Sequence, residues 1–131
     1  MSQENVEIVE QYYEAWNAGD MATVADFLDS SAVLRPAEGW PEPGPYVGRT
    51  TIMSYFQQLR DTWESDTAET KGEVVHGADR VAVRTVWNTV GQGPPSNLET
   101  TIVHTIRKGK IREVEFFWDH NEALEAVGLS E

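Results

Sequence analysis

Near residue 68 the apolar residues change their spacing. Upstream they recur every three or four positions, the period of a helix with one buried face. Downstream they alternate, the period of a half-buried strand. Helices first and strands afterwards is the pattern of an α+β domain in which a curved antiparallel sheet wraps its helices. A chain of 131 residues suits one such domain, spanning 1–131, and is too short for two ordinary ones.

Val6, Val9, Tyr13 and Trp16 form the stripe of a first helix, with Tyr12 beside it, and Gly19 ends it. Asp20 caps a short second helix that turns Val24, Phe27 and Leu28 inward. "SAVLRP" reads as a short strand stopped by Pro36. "AEGWPEPGPY" is a loop whose Trp40 and Tyr46 suit a flap over something apolar. A third helix, "GRTTIMSYFQQLRDTW", carries Ile52, Tyr55, Phe56, Leu59 and Trp63 on one face. Four strands are expected at about 68–76, 81–90, 98–107 and 110–118, joined by the turns "GADR" and "KG" and by the longer loop "GQGPPSN". Asp119, then Glu122 three residues on, then Ala123, Leu124, Val127 and Gly128 resemble a capping box, an apolar stripe and a glycine exit. Trp118, Asp119 and His120 therefore read mainly as a strand-to-helix junction, with His120 turned to water.

The net charge of −12 disfavours nucleic acid and anionic membrane as partners. Without cysteine there is no disulfide and no thiolate chemistry. The three histidines stand far apart and no metal-ligand spacing occurs, so no metal and no cofactor are expected. "MSQENVEIVEQ" lacks the basic start and apolar core of a signal peptide, and no apolar run approaches membrane-spanning length, so a cytoplasmic protein is expected.

The order and spacing of "YYEAWNAGD", "YVGRTTIMSYF", "DRVAVRTVW", "RKGKI" and "FFWDHNEALEAVGL" resemble the nuclear transport factor 2-like superfamily over nearly the whole chain. That cone-shaped, cystatin-like fold is shared by ketosteroid isomerases and SnoaL-like polyketide cyclases. The resemblance implies a pocket between the concave sheet face and the helices, and it implies a homodimer formed through the outer sheet face. Val86, Val90, Val103 and Phe117 would be the apolar residues of that face. It does not imply one chemistry, because members include isomerases, cyclases, hydrolases and binding proteins.

Against the isomerase pattern, Tyr12 matches the tyrosine that holds the enolate oxygen. The base position falls at Arg35 and the oxyanion aspartate falls at or beside His104. Arginine cannot act as a base at ordinary pH, so steroid isomerisation is not expected. Each residue also has a structural reading. Tyr12 can be a core tyrosine, Arg35 a surface arginine paired with an acid such as Asp29, and His104 a satisfied core histidine. Arg84 alternates out of phase with Val83 and Thr85 and is placed outside the pocket.

The expected pocket is lined by Tyr12, Trp16, Phe27, Tyr55, Val83, Thr85, Trp87, Ile102, His104, Phe116 and Trp118. Acid-base work would fall to Tyr12, His104 and Asp119. Ligand binding would fall to Trp16, Arg35, Tyr55, Thr85, Trp87, Phe116 and Trp118, with Arg35 favouring an anion on an aromatic body. Two classes stay open. One is a cofactor-free isomerase, cyclase or lyase acting on a small apolar or aromatic molecule. The other is a non-catalytic module binding a small molecule or a protein.

Overall fold

The computed structural model describes residues 2–39, 44–62, 65–77, 79–91 and 96–128. Three helices pack on one face of a six-stranded sheet. They are α1 (Ser2–Ala18), α2 (Met21–Phe27) and α3 (Arg49–Thr62). The strands are β1 (Leu28–Arg35), β2 (Tyr46–Val47), β3 (Ser65–Gly77), β4 (Arg80–Val90), β5 (Ser96–Arg107) and β6 (Lys110–Phe117), followed by a last helix, α4 (His120–Val127). This is the α+β cone expected from the sequence, with a curved, unclosed sheet.

Local signals explain the helix ends. Gly19 takes the left-handed conformation, φ 76°, that a side chain disfavours, and α1 stops there. Asp20 then accepts the amide of Thr23 at 3.2 Å and opens α2. Asp119 accepts the amide of Asn121 at 2.8 Å and opens α4, which Gly128 closes at φ 92°.

The strands run in the order β2-β1-β6-β5-β4-β3. The pairs β3–β4, β4–β5 and β5–β6 are antiparallel, as the alternating segments predict. The sheet departs from an all-antiparallel one where β1 lies parallel to β6, with Leu34 opposite Val114. The expected loop after Pro36 also contains β2, which pairs with β1 through Val33 and Val47. Trp40 and Trp63 lie outside the described residues.

Alternation sets the two faces. Val81, Val83, Ile106, Ile111 and Val114 join Val9, Tyr12, Tyr13 and Trp16 of α1 and Ile52, Tyr55 and Phe56 of α3 in the main core. On the other face α4 lays Ala123 and Val127 over Ala82 and Val103, with Phe117 against them. Of the four residues expected to form an outer apolar patch, Val103 is thus covered by the chain's own last helix and Phe117 partly so. Val86 remains half-buried and Val90 exposed.

Candidate functional site

A cavity of about 80 Å³ opens between the concave sheet face and helices α1 and α3. Its wall is Tyr12, Tyr13 and Trp16 from α1, Phe56 and Leu59 from α3, and Ala68, Thr85, Trp87, Leu98, Thr100, Ile102, Val114 and Phe116 from the sheet. Strand register explains the grouping. Trp87 faces Ala68 on one side and Leu98 on the other, Thr85 faces Thr100, and Ile102 faces Phe116. Among the described residues, none on this wall is charged.

Most polar side chains of the wall are committed. Thr85 Oγ1 donates to the Thr100 carbonyl at 3.2 Å and lies 3.2 Å from the Thr100 hydroxyl. The Tyr13 hydroxyl meets His104 Nε2 at 2.9 Å. The indole N–H groups of Trp16 and Trp87 both donate to one oxygen, Asp66 Oδ2, each at 2.9 Å. The Tyr12 hydroxyl is the exception: among the described residues it has no hydrogen bond. Tyr12 is 4% exposed and borders the cavity. Burial pushes the Tyr12 phenol well above its ordinary range, so it stays protonated and can only donate or accept as a neutral group.

His104 does not reach the cavity wall. It is fully buried, and its Nδ1–H donates to the Val81 carbonyl at 3.1 Å, which leaves Nε2 to accept from Tyr13. Burial lowers its pKa to about 4, against the opposing pull of the Val81 carbonyl. Alternation placed His104 on the concave face, but Tyr12 and Tyr13 stand between it and the cavity, both packed edge-on against its ring.

Arg35 is a second correction. Its side chain is half-exposed and pairs with Glu113 across the parallel β1–β6 contact at 2.6 Å, not with Asp29. Asp29 instead accepts from Ser31. With Arg35 outside the cavity, no described residue on the wall supplies the positive charge that an anionic ligand would need. Trp118 is exposed, with its indole donating to the Glu38 carbonyl at 2.8 Å. Tyr55 turns away and stacks on Tyr46 at 4.3 Å between ring centres. Phe27 and Val83 pack into the core instead. His120 faces protein rather than water, with Nδ1 2.9 Å from the Thr101 hydroxyl.

Arg35, Trp118 and Asp119 do share a second concavity of about 650 Å³, an open cleft with Pro36, Ala37, Glu38, Glu115, Phe116, Phe117 and Glu122. Burial and the neighbouring Glu113 raise the Glu115 pKa there. Phe116 borders both the cleft and the cavity. Of the ten expected site residues, Tyr12, Trp16, Thr85, Trp87 and Phe116 meet at the cavity; Arg35, Trp118 and Asp119 meet at the cleft, where Phe116 also stands; Tyr55 and His104 lie in the core. Among the described residues no group of three His, Asp or Glu side chains could hold a metal, and no helix is long and apolar enough to cross a membrane.

Sequence reasoning missed Asp66. It is 7 % exposed and collects both cavity indoles, with Arg60 Nη1 3.7 Å away. Its only sequence signal is its phase: it shares a strand face with Ala68, which lines the cavity.

Residues 9–114 match the model of the SnoaL-like domain. No curated protein matches the chain significantly in sequence. Solved structures do match in fold. An NTF2-like protein of unknown function from Burkholderia pseudomallei aligns with a TM-score of 0.79 at 18% identity, covering 97% of this chain and 98% of the other. TerC co-crystallised with polyporic acid aligns with a TM-score of 0.77 at 18% identity, covering 95% and 97%. IdmH from Streptomyces antibioticus, a candidate polyketide cyclase, aligns with a TM-score of 0.75 at 22% identity, covering 95% and 98%. With a family model covering most of its length and the nuclear transport factor 2-like cone as its fold, this chain belongs to the SnoaL-like domain family.

Proposed function

We propose that this protein binds a small, neutral, largely apolar molecule with one hydrogen-bond-accepting oxygen, and that the Tyr12 hydroxyl donates to that oxygen. The unpartnered, buried, protonated phenol on an otherwise satisfied apolar wall is the observation that supports this most. A polar group in such a wall costs free energy until a partner arrives. An anion would have to shed its water with no counter-charge to receive it. The TerC crystal with polyporic acid supports small-molecule use of the same fold.

The cavity is smaller than the roughly 150 Å³ that encloses benzene in an engineered apolar core. A ring-sized ligand therefore needs a wall to move. Phe116 borders both the cavity and the outer cleft, so its displacement would join the two.

A catalytic role is the second reading, favoured by the same phenol. A donor that holds a carbonyl oxygen also holds an enolate, the use made of such a tyrosine in proton-transfer enzymes. The difficulty is the base. Asp66 is occupied by two indoles, His104 is bonded through both nitrogens, and among the described residues no carboxylate lines the wall. Of the four residues expected on the outer sheet face, a two-fold assembly would rest on Val86, Val90 and the open part of Phe117, since α4 covers Val103.

Titration of isotope-labelled protein with 1-indanone, a neutral bicyclic ketone, tests the binding reading. Amide shifts should centre on Leu98, Thr100, Ile102 and Phe116. Shifts confined to the Arg35–Trp118 cleft, or none at all, would contradict it.

A further inference from the structure

We infer that Asp66 is a positioning residue for the cavity, one buried carboxylate oxygen holding both wall tryptophans in the orientation that receives a ligand. This inference rests on the binding reading above and adds a residue that touches no ligand itself.

The geometry is specific. Trp16 comes from α1 and Trp87 from β4, elements with no covalent reason to agree in orientation. Both indole N–H groups point at Asp66 Oδ2, each at 2.9 Å. An indole nitrogen only donates, so a buried indole needs an acceptor to fix its tilt. Asp66 supplies that acceptor twice from a side chain that is 3% exposed. Arg60 closes the arrangement from behind. Its guanidinium lies 4.8 Å from the Trp16 ring centre, donates to the Trp16 carbonyl at 2.9 Å, and stands 3.7 Å from the same carboxylate oxygen. Trp16 and Trp87 are on the cavity wall, whereas Asp66 and Arg60 are not. The carboxylate thus acts on a ligand only through the two rings.

The test compares Asp66→Ala and Asp66→Asn with the native protein, measuring 1-indanone affinity by calorimetry and the two indole N–H signals by NMR at a temperature where each is folded. Asp66→Ala takes the shared acceptor from the buried Trp16 indole and the part-buried Trp87 indole, so affinity should fall at least about tenfold and both indole signals should move and lose exchange protection. Asp66→Asn keeps an acceptor oxygen but not the charge beside Arg60. It should move both indole signals and weaken binding by less. In a Trp16→Phe, Trp87→Phe background, Asp66→Asn should no longer change affinity, a result that a merely structural carboxylate would not give. Native-like indole signals in Asp66→Asn, or an undiminished Asp66 effect without the indoles, would overturn the inference. If the native protein does not bind 1-indanone, the binding reading fails alone. The indole signals, together with xenon-induced methyl shifts at Leu59, Leu98, Ile102 and Val114, then decide the positioning role. Unchanged xenon shifts in Asp66→Asn would overturn it.

Discussion

The imidazole of His104 is held neutral by burial, against the pull of the Val81 carbonyl on Nδ1–H, and Nε2 accepts from Tyr13. That gives the fold a defined pH dependence. With a folded pKa of about 4, below the ordinary 6.5, the unfolded chain takes up a proton first as pH falls. The stabilisation is complete above pH 6.5 and is lost on going down towards 4, amounting to on the order of 2 kcal/mol by pH 4.5. Denaturant unfolding between pH 7 and 4.5 should therefore lose stability more steeply in the native protein than in His104→Gln, which has no titrating group at that position. Equal slopes would show that His104 is not the group responsible. At this scale the sequence was informative about faces and silent about depth. Alternation put Thr85, Trp87, Phe116 and His104 on the concave side, and the family resemblance brought Tyr12 to the same pocket. It could not show that Tyr13 fills the space in front of His104. Asp66 was harder still, one of 22 acidic residues at the start of a strand whose first turn of alternation carries no apolar signal.

α4 is the element whose placement changes most for the surface of the molecule. Its apolar stripe, Ala123 and Val127, is buried on Ala82 and Val103, and Arg80 donates to the Ala126 carbonyl near its end. Asp119 starts it by accepting the Asn121 amide. Asp119→Ala should cost about 1 kcal/mol in unfolding free energy, while Asp119→Asn, which can still accept, should be nearly neutral. Loss of any ligand binding in Asp119→Asn at unchanged stability would assign Asp119 to the site instead of the cap. Helix caps were readable because Asp119 and Gly128 each act on backbone groups two to four residues away. The β1–β6 pairing and the two-residue β2 were not, since both depend on contacts between segments far apart in the chain. Arg35 was misplaced for the same reason: its partner Glu113 is 78 residues away.

For the whole molecule, the cone leaves an apolar cavity whose described wall carries no charge and on which the Tyr12 hydroxyl has no hydrogen bond among the described residues. The period change near residue 68 was enough to fix the layers. The position of the cavity along the sheet depends on which side chains fill the other end, here Val81, His104 and Ile106. The most direct measurement is a calorimetric comparison of 1-indanone with its hydrocarbon, indane, on the native protein and on Tyr12→Phe. The ketone should bind the native protein roughly tenfold more tightly than indane, the value of one well-placed neutral hydrogen bond in a dry site. In Tyr12→Phe that difference should vanish, with stability unchanged, because the hydroxyl has no partner to lose among the described residues. Equal binding of ketone and hydrocarbon by the native protein, or a preference that survives Tyr12→Phe, would contradict the assignment of Tyr12 as the ligand's donor.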